Sequence, residues 1–410
     1  MTPDQYEAVE HLIALFHEQK SSCVFVNGMP GTGKSILAIT LLFKLRTDAH
    51  FKNLRVALVS PMEQLRKTYQ QIAKSVEGLR VNDVIGPSEV AKGEPYDVLL
   101  VDEAHRMYDQ KGAMGVPAYR RTCEKLGLTW NATQWDWIIK ASRHAVFFFD
   151  PKQQVRATGL GVAQRDALLD KLENESRCVH MFELSTQMRV RGGDEYLDFI
   201  YDILTGGPAA PEIAKVFPAL FSALPHSLET KSDLTGHAPT YELALVDSFA
   251  DFCKLQLNKE HECGLSRMTA GYAWEWASKN DPCAYDIEIE GIKKRWNSTR
   301  GNWVNSPCAV HEVGSIHTVQ GYDLNYSFVI IGNDIAYNRE SDRLEAVRPN
   351  FKDRGAKKTA DDEDLQAVVI NAYYVLLTRG MRGTYIYVCD HEVKRYFQRF
   401  IPTIRMNENG

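Results

Sequence analysis

The sequence has no long hydrophobic run, no closely spaced cysteine pair and no excess of positive charge. None of its apolar stretches approaches the roughly 18 residues that a membrane-spanning helix needs. The first twenty residues carry four acidic side chains and therefore lack the basic start and apolar centre of a secretory signal peptide. These absences lead us to expect a cytoplasmic protein with no membrane partner.

Cysteine use argues against a disulfide framework. The eight cysteines include no C-x-x-C pair, and Cys23 and Cys389 lie in strand-like runs where a reduced thiol packs as a small hydrophobe. The segment His261-Glu262-Cys263 comes nearest to a metal cluster, but it has no further ligands at metal-binding spacing. We expect reduced cysteines and no cysteine–histidine metal site.

Size and charge set further bounds. With 410 residues and 44% hydrophobic content, the chain can bury a large core, and its length predicts two or three domains. The formal net charge of −5 provides no overall attraction for nucleic acid, so any such surface must be a local basic one.

A glycine-rich segment follows the first apolar strand. The run Cys23 to Val26 leads into Gly28-Met29-Pro30-Gly31-Thr32-Gly33-Lys34-Ser35, and an apolar helical pattern covers Ile36 to Leu45. This is the G-x-x-x-x-G-K-[ST] pattern in the order strand, loop, helix, in which the lysine reaches the β- and γ-phosphates and the hydroxyl binds Mg²⁺. We predict a site for a nucleoside triphosphate and Mg²⁺ formed by Gly28, Pro30, Gly31, Thr32, Gly33, Lys34 and Ser35.

Two acidic residues follow another apolar strand. Asp97 to Val101 leads into Asp102-Glu103-Ala104-His105, and in a parallel sheet this end faces the bound phosphates. We predict that Asp102 holds Mg²⁺ through water and that Glu103 polarises the attacking water.

Strand and helix patterns alternate across the first 185 residues, which predicts a doubly wound parallel sheet. One of these strands, His144 to Phe149, is followed by Asp150-Pro151-Lys152-Gln153. The polar Asp150 and Gln153 at this strand end either sense the γ-phosphate or its water or belong to a surface turn. The segment between Arg106 and Arg143 has few periodic cues, and we expect a small insertion beside the sheet.

Strand patterns return after residue 240 and predict a second α/β layer with no phosphate loop of its own. Residues 205–240 are rich in Pro, Gly, Ala and Ser, which predicts an irregular connection, and residues 351–364 are predicted to form a charged, solvated loop. The aromatic stretch around Trp274 is either the edge of a core strand or a surface that stacks on bases.

The motifs, in this order, resemble those of superfamily 1 helicases along almost the whole chain. The matching residues are Thr2-Pro3-Asp4-Gln5 (Q motif), Gly28 to Ser35 (motif I), Ser60-Pro61 (motif Ia), Asp102 to His105 (motif II), Asp150 to Gln153 (motif III), Gln187-Met188-Arg189 (motif IV), His317 to Asp323 (motif V) and Tyr374 to Arg379 (motif VI). Within that superfamily the chain is similar to the Schlafen group-3-like DNA/RNA helicase domain, on the residues Ala270 to Trp276, Gly314 to Gly321 and Leu376 to Met381.

This resemblance implies two RecA-like P-loop NTPase domains, residues 1–190 and 191–410, with ATP bound in the cleft between them. It implies that Gln5 contacts the adenine and that Gly321 lies at the nucleotide. Arg189 and Arg379 are expected to reach the γ-phosphate from the second domain, and Gln153 and Gln320 to couple hydrolysis to movement of the nucleic acid. The implied catalytic set is Lys34, Asp102, Glu103, Gln153, Arg189, Gln320 and Arg379, and the implied nucleic-acid contacts are Ser60, Pro61, Thr318 and Trp274.

The hypothesis that follows is an ATP-dependent motor acting on single-stranded DNA or RNA. The alternative is an ATP-driven switch that gates a protein partner, such as an effector or a nuclease, without unwinding nucleic acid. A small-molecule kinase is disfavoured because it leaves the motif V and motif VI segments without a role. No pattern in the sequence indicates an oligomeric state.

Overall fold

Two parallel sheets organise the chain, each built from strands that alternate with helices. This computed structural model describes residues 1–405 apart from 19, 114, 156–157, 208–213, 215–220, 223–240, 282, 300–301 and 320. The chain divides into two compact units, Met1–Gln187 (unit 1) and Met188–Gly410 (unit 2), whereas the sequence places the division at 190/191. The predicted α/β class with two parallel sheets is confirmed.

The sheet of unit 1 has the strand order β3-β2-β4-β5-β1-β6, and all neighbours run parallel. Its first helix begins at Pro3, where the Thr2 side chain caps it and proline suits the first turn. The helices are α1 (Pro3–His17), α2 (Lys34–Thr47), α3 (Glu63–Ser75), α4 (Val116–Lys125), α5 (Gln134–Ala141) and α6 (Val162–Asn174); the strands are β1 (Ser22–Gly28), β2 (Val56–Val59), β3 (Val84–Ile85), β4 (Tyr96–Val101), β5 (Ser142–Phe149) and β6 (Cys178–Leu184).

Helices cover both faces of this sheet. Because successive side chains of a strand point to opposite faces, Val24 and Val26 of β1 pack with α1, α2 and α3, while Phe25 packs with α4, α5 and α6. The segment between Arg106 and Arg143 supplies α4 and α5, and its residues Trp135 and Trp137 are 1% and 2% exposed. This segment is therefore a core layer of unit 1, where the sequence predicts a small insertion.

Unit 2 has a parallel sheet with the order β12-β9-β13-β16-β8-β17, and β7 also pairs with β8. Two antiparallel hairpins, β10–β11 and β14–β15, are separate from it. The helices are α7 (Gly193–Thr205), α8 (Phe249–Cys263), α9 (Ile316–Val319), α10 (Arg354–Thr359), α11 (Asp362–Leu377) and α12 (His391–Phe397); the strands are β7 (Phe221–Ser222), β8 (Tyr241–Val246), β9 (Ser266–Ala270), β10 (Ile287–Ile289), β11 (Ile292–Lys294), β12 (Val313–Ser315), β13 (Leu324–Ile331), β14 (Ile335–Asn338), β15 (Arg343–Ala346), β16 (Gly380–Val388) and β17 (Thr403–Ile404).

Both faces of this second sheet are covered too. Phe249 and Phe252 of α8 join the apolar cluster on one face, together with residues of the β10–β11 hairpin. On the other face the Tyr196 ring lies 4.3 Å from that of Tyr241, and its hydroxyl donates to the Leu377 carbonyl at 2.7 Å. Within the described residues, no helix combines the length and the apolar character that crossing a bilayer requires.

Residues 351–364 do not form the predicted loop. They contain α10 and the first turn of α11, and Phe351 and Ala360 are buried. Asp361 caps α11 by accepting from the Asp364 N–H at 2.8 Å, and acidic residues in a first turn favour a helix N-terminus. Apolar residues are scarce in this segment because it contains the first turn of a helix, whose acidic side chains face solvent. The predicted irregular connection 205–240 lies mostly outside the described residues.

Candidate nucleotide-binding site

The glycine-rich loop joins β1 to α2 in unit 1. Gly31 and Gly33 have φ values of 91° and 78°, in the left-handed region that glycine adopts without strain. A Cβ at Gly28 would overlap the Thr32 hydroxyl, which donates to the Met29 carbonyl at 3.0 Å. The loop conformation therefore requires the glycines that the sequence pattern supplies.

Lys34 is held at the end of this loop by three oxygen atoms. Its Nζ donates to the carbonyls of Gly28 at 2.6 Å and Met29 at 2.9 Å, and it lies 3.3 Å from Asp150 Oδ2. The Lys34 side chain is 9% exposed and that of Asp150 is fully buried. The ammonium group is thus fixed at the carboxyl edge of the sheet, where the sequence predicts that phosphates bind.

The ends of β4 and β5 bring acidic groups to the same edge, because β5 lies between β1 and β4. Asp102 is 1% exposed and accepts hydrogen bonds from the hydroxyls of Ser35 and Tyr69. Burial, and secondarily the Glu103 charge, raises the pKa of Asp102 to about 6, although these two hydrogen bonds act to lower it. Ser35 and Asp102 present adjacent oxygen ligands, and this buried, destabilised carboxylate suits a divalent cation.

Glu103 has a φ of 56°, a left-handed conformation that is strained for a residue with a Cβ. Its Oε2 lies 2.9 Å from His105 Nε2. Burial raises its pKa, but His105, Arg106 and Lys34 outweigh burial and hold the pKa of Glu103 well below its usual range. Glu103 is therefore an ionised carboxylate able to accept a hydrogen bond from water.

The turn after β5 connects to Lys34 directly. Asp150 Oδ2 accepts from Gln153 Nε2 at 2.6 Å as well as from Lys34, and its Oδ1 accepts from the Lys152 N–H at 3.1 Å. Gln153 is 4% exposed, so it belongs to the interior of the site and not to a surface turn. Asp150, which the sequence suggests together with Gln153, and Tyr69 join the site beside the predicted catalytic set. Nothing in the sequence around Tyr69 indicates its contact with Asp102.

The first turn of α1 also contacts the phosphate loop. Gln5, 1% exposed, donates from Nε2 to the Thr32 carbonyl at 2.8 Å and accepts from the Thr2 N–H at 3.1 Å. The Gln187 side chain donates to the Pro30 carbonyl. Gln5 thus contacts the phosphate loop itself, and its contact with adenine stays a prediction.

The two arginines of the predicted catalytic set lie in unit 2, against one short segment. Arg189 pairs with the Asp323 carboxylate, and Arg379 donates from Nη1 to the Tyr322 carbonyl at 3.4 Å. Arg379 is 1% exposed. Gly321, just before these partners, has a φ of 91°, and Gln320 lies outside the described residues. The structure therefore brings Arg189 and Arg379 together at the motif V segment.

The residues predicted to contact nucleic acid are largely bonded within their own units. Ser60 is fully buried; Thr318 is 7% exposed, and its hydroxyl lies 2.9 Å from that of Ser315. Trp274 is half-buried and packs closely over Gly332, and Pro61 is half-buried as well. This packing accords with the interpretation of Trp274 as the edge of a core strand. Its contact with bases, and those of the other three residues, stay predictions.

The family model described as Schlafen group 3, DNA/RNA helicase domain matches residues 21–390. This chain belongs to that helicase-domain family. The predicted family resemblance is thereby confirmed, with a match that contains the phosphate loop, both acidic strand ends and both arginines.

Other proteins resemble this member of the helicase-domain family more distantly. The uncharacterized protein YPL245W of Saccharomyces cerevisiae is 24% identical over 405 residues, which cover 91% of this chain and 83% of that protein. Unliganded Pif1 from Bacteroides has a TM-score of 0.39 at 11% identity, with 98% of this chain and 94% of that one covered. Pif1 helicase from Candida albicans has a TM-score of 0.36 at 11% identity, with coverages of 97% and 98%.

Proposed function

We propose that this chain is an ATP-dependent motor that moves along single-stranded DNA or RNA. The observation that carries the proposal is the convergence of Lys34, Ser35, Asp102 and Glu103 at one edge of the unit 1 sheet, in a chain of a helicase-domain family. A phosphate loop, a hydroxyl–carboxylate pair and a separate ionised glutamate are the parts that NTP hydrolysis needs.

Each part has a distinct role in this proposal. Lys34 exchanges its carbonyl partners for β- and γ-phosphate oxygens, while Asp150 holds the ammonium in place. Ser35 and Asp102 would hold Mg²⁺, which when bound neutralises phosphate charge. Glu103, ionised and held by His105, orients the attacking water.

Unit 2 contributes the arginines. Since Arg189 and Arg379 are held by the adjacent residues Asp323 and Tyr322, one displacement of that segment moves both guanidinium groups. An arginine that stabilises the charge of the transition state accelerates phosphoryl transfer by about 10³–10⁵-fold in systems where this has been measured. We infer that these groups reach the γ-phosphate when ATP is bound, so that each turnover moves unit 2 against unit 1 and advances the strand. Gln153 and Gln320 would couple this motion to the nucleic acid.

The test measures ATP hydrolysis by the full chain with and without oligo-dT and oligo-U. Lys34→Ala should lose nucleotide binding and turnover, whereas Glu103→Gln should keep ATP binding and lose turnover by about 10²–10⁴-fold. Lys44→Ala, on the same helix but paired with Glu10 at the surface, is the matched control and should behave as wild type.

Turnover by Lys34→Ala at the wild-type rate would refute the site. Hydrolysis that ignores both oligonucleotides would refute the motor and leave the switch that responds to a protein partner. Arg189→Ala and Arg379→Ala should each retain ATP binding and lose turnover, and full turnover by both would remove unit 2 from the chemistry.

A further inference from the structure

An exposed tryptophan lies in the segment between Glu103 and β5. We propose that Trp130, with Arg120, Arg121 and Lys125, forms a patch on unit 1 that binds single-stranded nucleic acid, by stacking on a base and pairing with phosphates. This inference rests on the proposed function and adds a binding surface to it.

Trp130 is 51% exposed, although it lies only five residues after the end of α4, whose inner face is buried. Two hydrogen bonds order the turn that carries it: the Ala132 N–H donates to the Thr129 carbonyl at 3.1 Å, and the Tyr119 hydroxyl donates to the Ala132 carbonyl at 2.6 Å. Trp135, five positions on, is 1% exposed. Burial in the core thus accounts for Trp135 and gives no reason for an indole at position 130, whereas base stacking does.

One cationic side chain contacts this ring, and two more lie on the same helix. The Arg120 guanidinium lies over it, 4.4 Å from the ring centroid, a contact that holds both groups in place. Arg121 and Lys125 are exposed and four residues apart on α4, so they share one face of the helix. An ordered ring, with two exposed cations on the helix that carries Arg120, suits a polyanion with aromatic bases.

The local charge supports the same ligand. Residues 106–143 contain seven Lys and Arg against three Asp and Glu, in a chain whose net charge is −5. This is the local basic region that an overall acidic protein needs to attract phosphates.

The patch is also linked to the catalytic acid. Trp135 Nε1 donates to the carbonyl of Ala104, the residue after Glu103, at 3.1 Å. Tyr108 and Gln134 exchange two hydrogen bonds, from the Gln134 N–H at 3.2 Å and to Gln134 Oε1 at 3.3 Å. A strand held at Trp130 therefore acts on a segment that is tied to the backbone of Glu103, which provides a route by which nucleic acid stimulates hydrolysis.

Unit 2 offers a matched control. Tyr285 is 52% exposed and Arg295 lies 4.5 Å from its ring centroid, so the ring and cation resemble those at Trp130. Residues 275–295, however, carry four Lys and Arg against five Asp and Glu, which provides no net attraction for phosphates.

The experiment measures binding of fluorescein-labelled oligo-dT and oligo-U by anisotropy over a range of salt concentrations. Trp130→Ala should weaken binding about 5- to 150-fold, which corresponds to about 1–3 kcal/mol for one lost base–ring stack. Trp130→Phe, which keeps a ring, should retain most of the affinity, and Tyr285→Ala should bind as wild type. The double variant Arg121→Gln/Lys125→Gln should make the dependence of log K on log salt shallower by about 1.4, at about 0.7 for each phosphate contact. Thermal unfolding of each variant checks that it is folded.

Different failures have different meanings. If wild type binds and Trp130→Ala binds equally, or Tyr285→Ala loses as much affinity, the patch is wrong and the motor stands. If wild type binds neither oligonucleotide at any salt concentration, the proposed function fails and the patch fails with it.

Discussion

Unit 2 contains a buried ion pair whose removal has a calculable effect. Lys259 Nζ lies 3.0 Å from Glu242 Oε2, and the two side chains are 2% and 0% exposed. Glu242 also accepts from the hydroxyls of Tyr326, at 2.8 Å, and Tyr385. Lys259→Met removes the ammonium and leaves the Glu242 carboxylate in the core, where the hydroxyls of Tyr326 and Tyr385 still donate to it.

Breaking a buried ion pair from one side destabilises a protein by about 3–5 kcal/mol. Because two phenols still donate to Glu242, we expect Lys259→Met to fall near the lower end, at about 3 kcal/mol. Adding Glu242→Gln removes the buried charge that has lost its ammonium, so the double variant should be at least about 2 kcal/mol more stable than the sum of the single effects predicts. Urea unfolding followed by far-UV circular dichroism measures this, and about 3 kcal/mol lowers the midpoint by about 1–2 M.

An exposed pair of the same residue types provides the control. Lys67 Nζ lies 2.7 Å from Glu63 Oε1, but both side chains are 68% exposed. Lys67→Met should therefore change the free energy of unfolding by less than about 0.5 kcal/mol. A loss below about 1 kcal/mol for Lys259→Met, or single effects that simply add in the double variant, would show that burial does not govern this pair.

Two further predictions concern a buried carboxyl and the phosphate loop. Asp334 is buried and accepts from the Tyr373 hydroxyl; burial raises its pKa from 3.8 to about 6, so the folded state binds this proton more tightly than the unfolded state does. The stability that this protonated carboxyl contributes is present below about pH 4 and is lost as pH rises through about 6. In urea unfolding, the free energy of unfolding of Asp334→Asn should rise by up to about 3 kcal/mol relative to that of wild type between pH 4 and 7. A difference between the two proteins that stays constant across that pH range would contradict the raised pKa. Gly33→Ala, at φ 78°, and Gly127→Ala, at φ 65° in open space, should each destabilise by about 1–2 kcal/mol, but only Gly33→Ala should lose ATP binding, and equal ATP affinity for both would contradict the loop assignment.

Local patterns were sufficient to predict most elements of both sheets. The strand predicted at Asp97 to Val101 is β4, Tyr96–Val101, and the one predicted at His144 to Phe149 is β5, Ser142–Phe149. They were predictable because apolar runs of this length between polar turns are typical of buried parallel strands. The same approach was wrong for residues 351–364, since a helix start with acidic, solvated residues has the composition of a loop.

By itself the sequence determined the phosphate loop, the acidic strand ends and the family, because each depends on residues close together in the chain. Only the tertiary structure decided which distant residues contact them. Tyr69 donates to Asp102, and Asp150 pairs with Lys34. The segment of Tyr322 and Asp323 binds the two arginines. The pairing of Lys34 with Asp150 joins residues 116 positions apart. Such partners are set by strand order, since β5 lies next to β1 in the sheet but is far from it in sequence, and no local periodicity records that order.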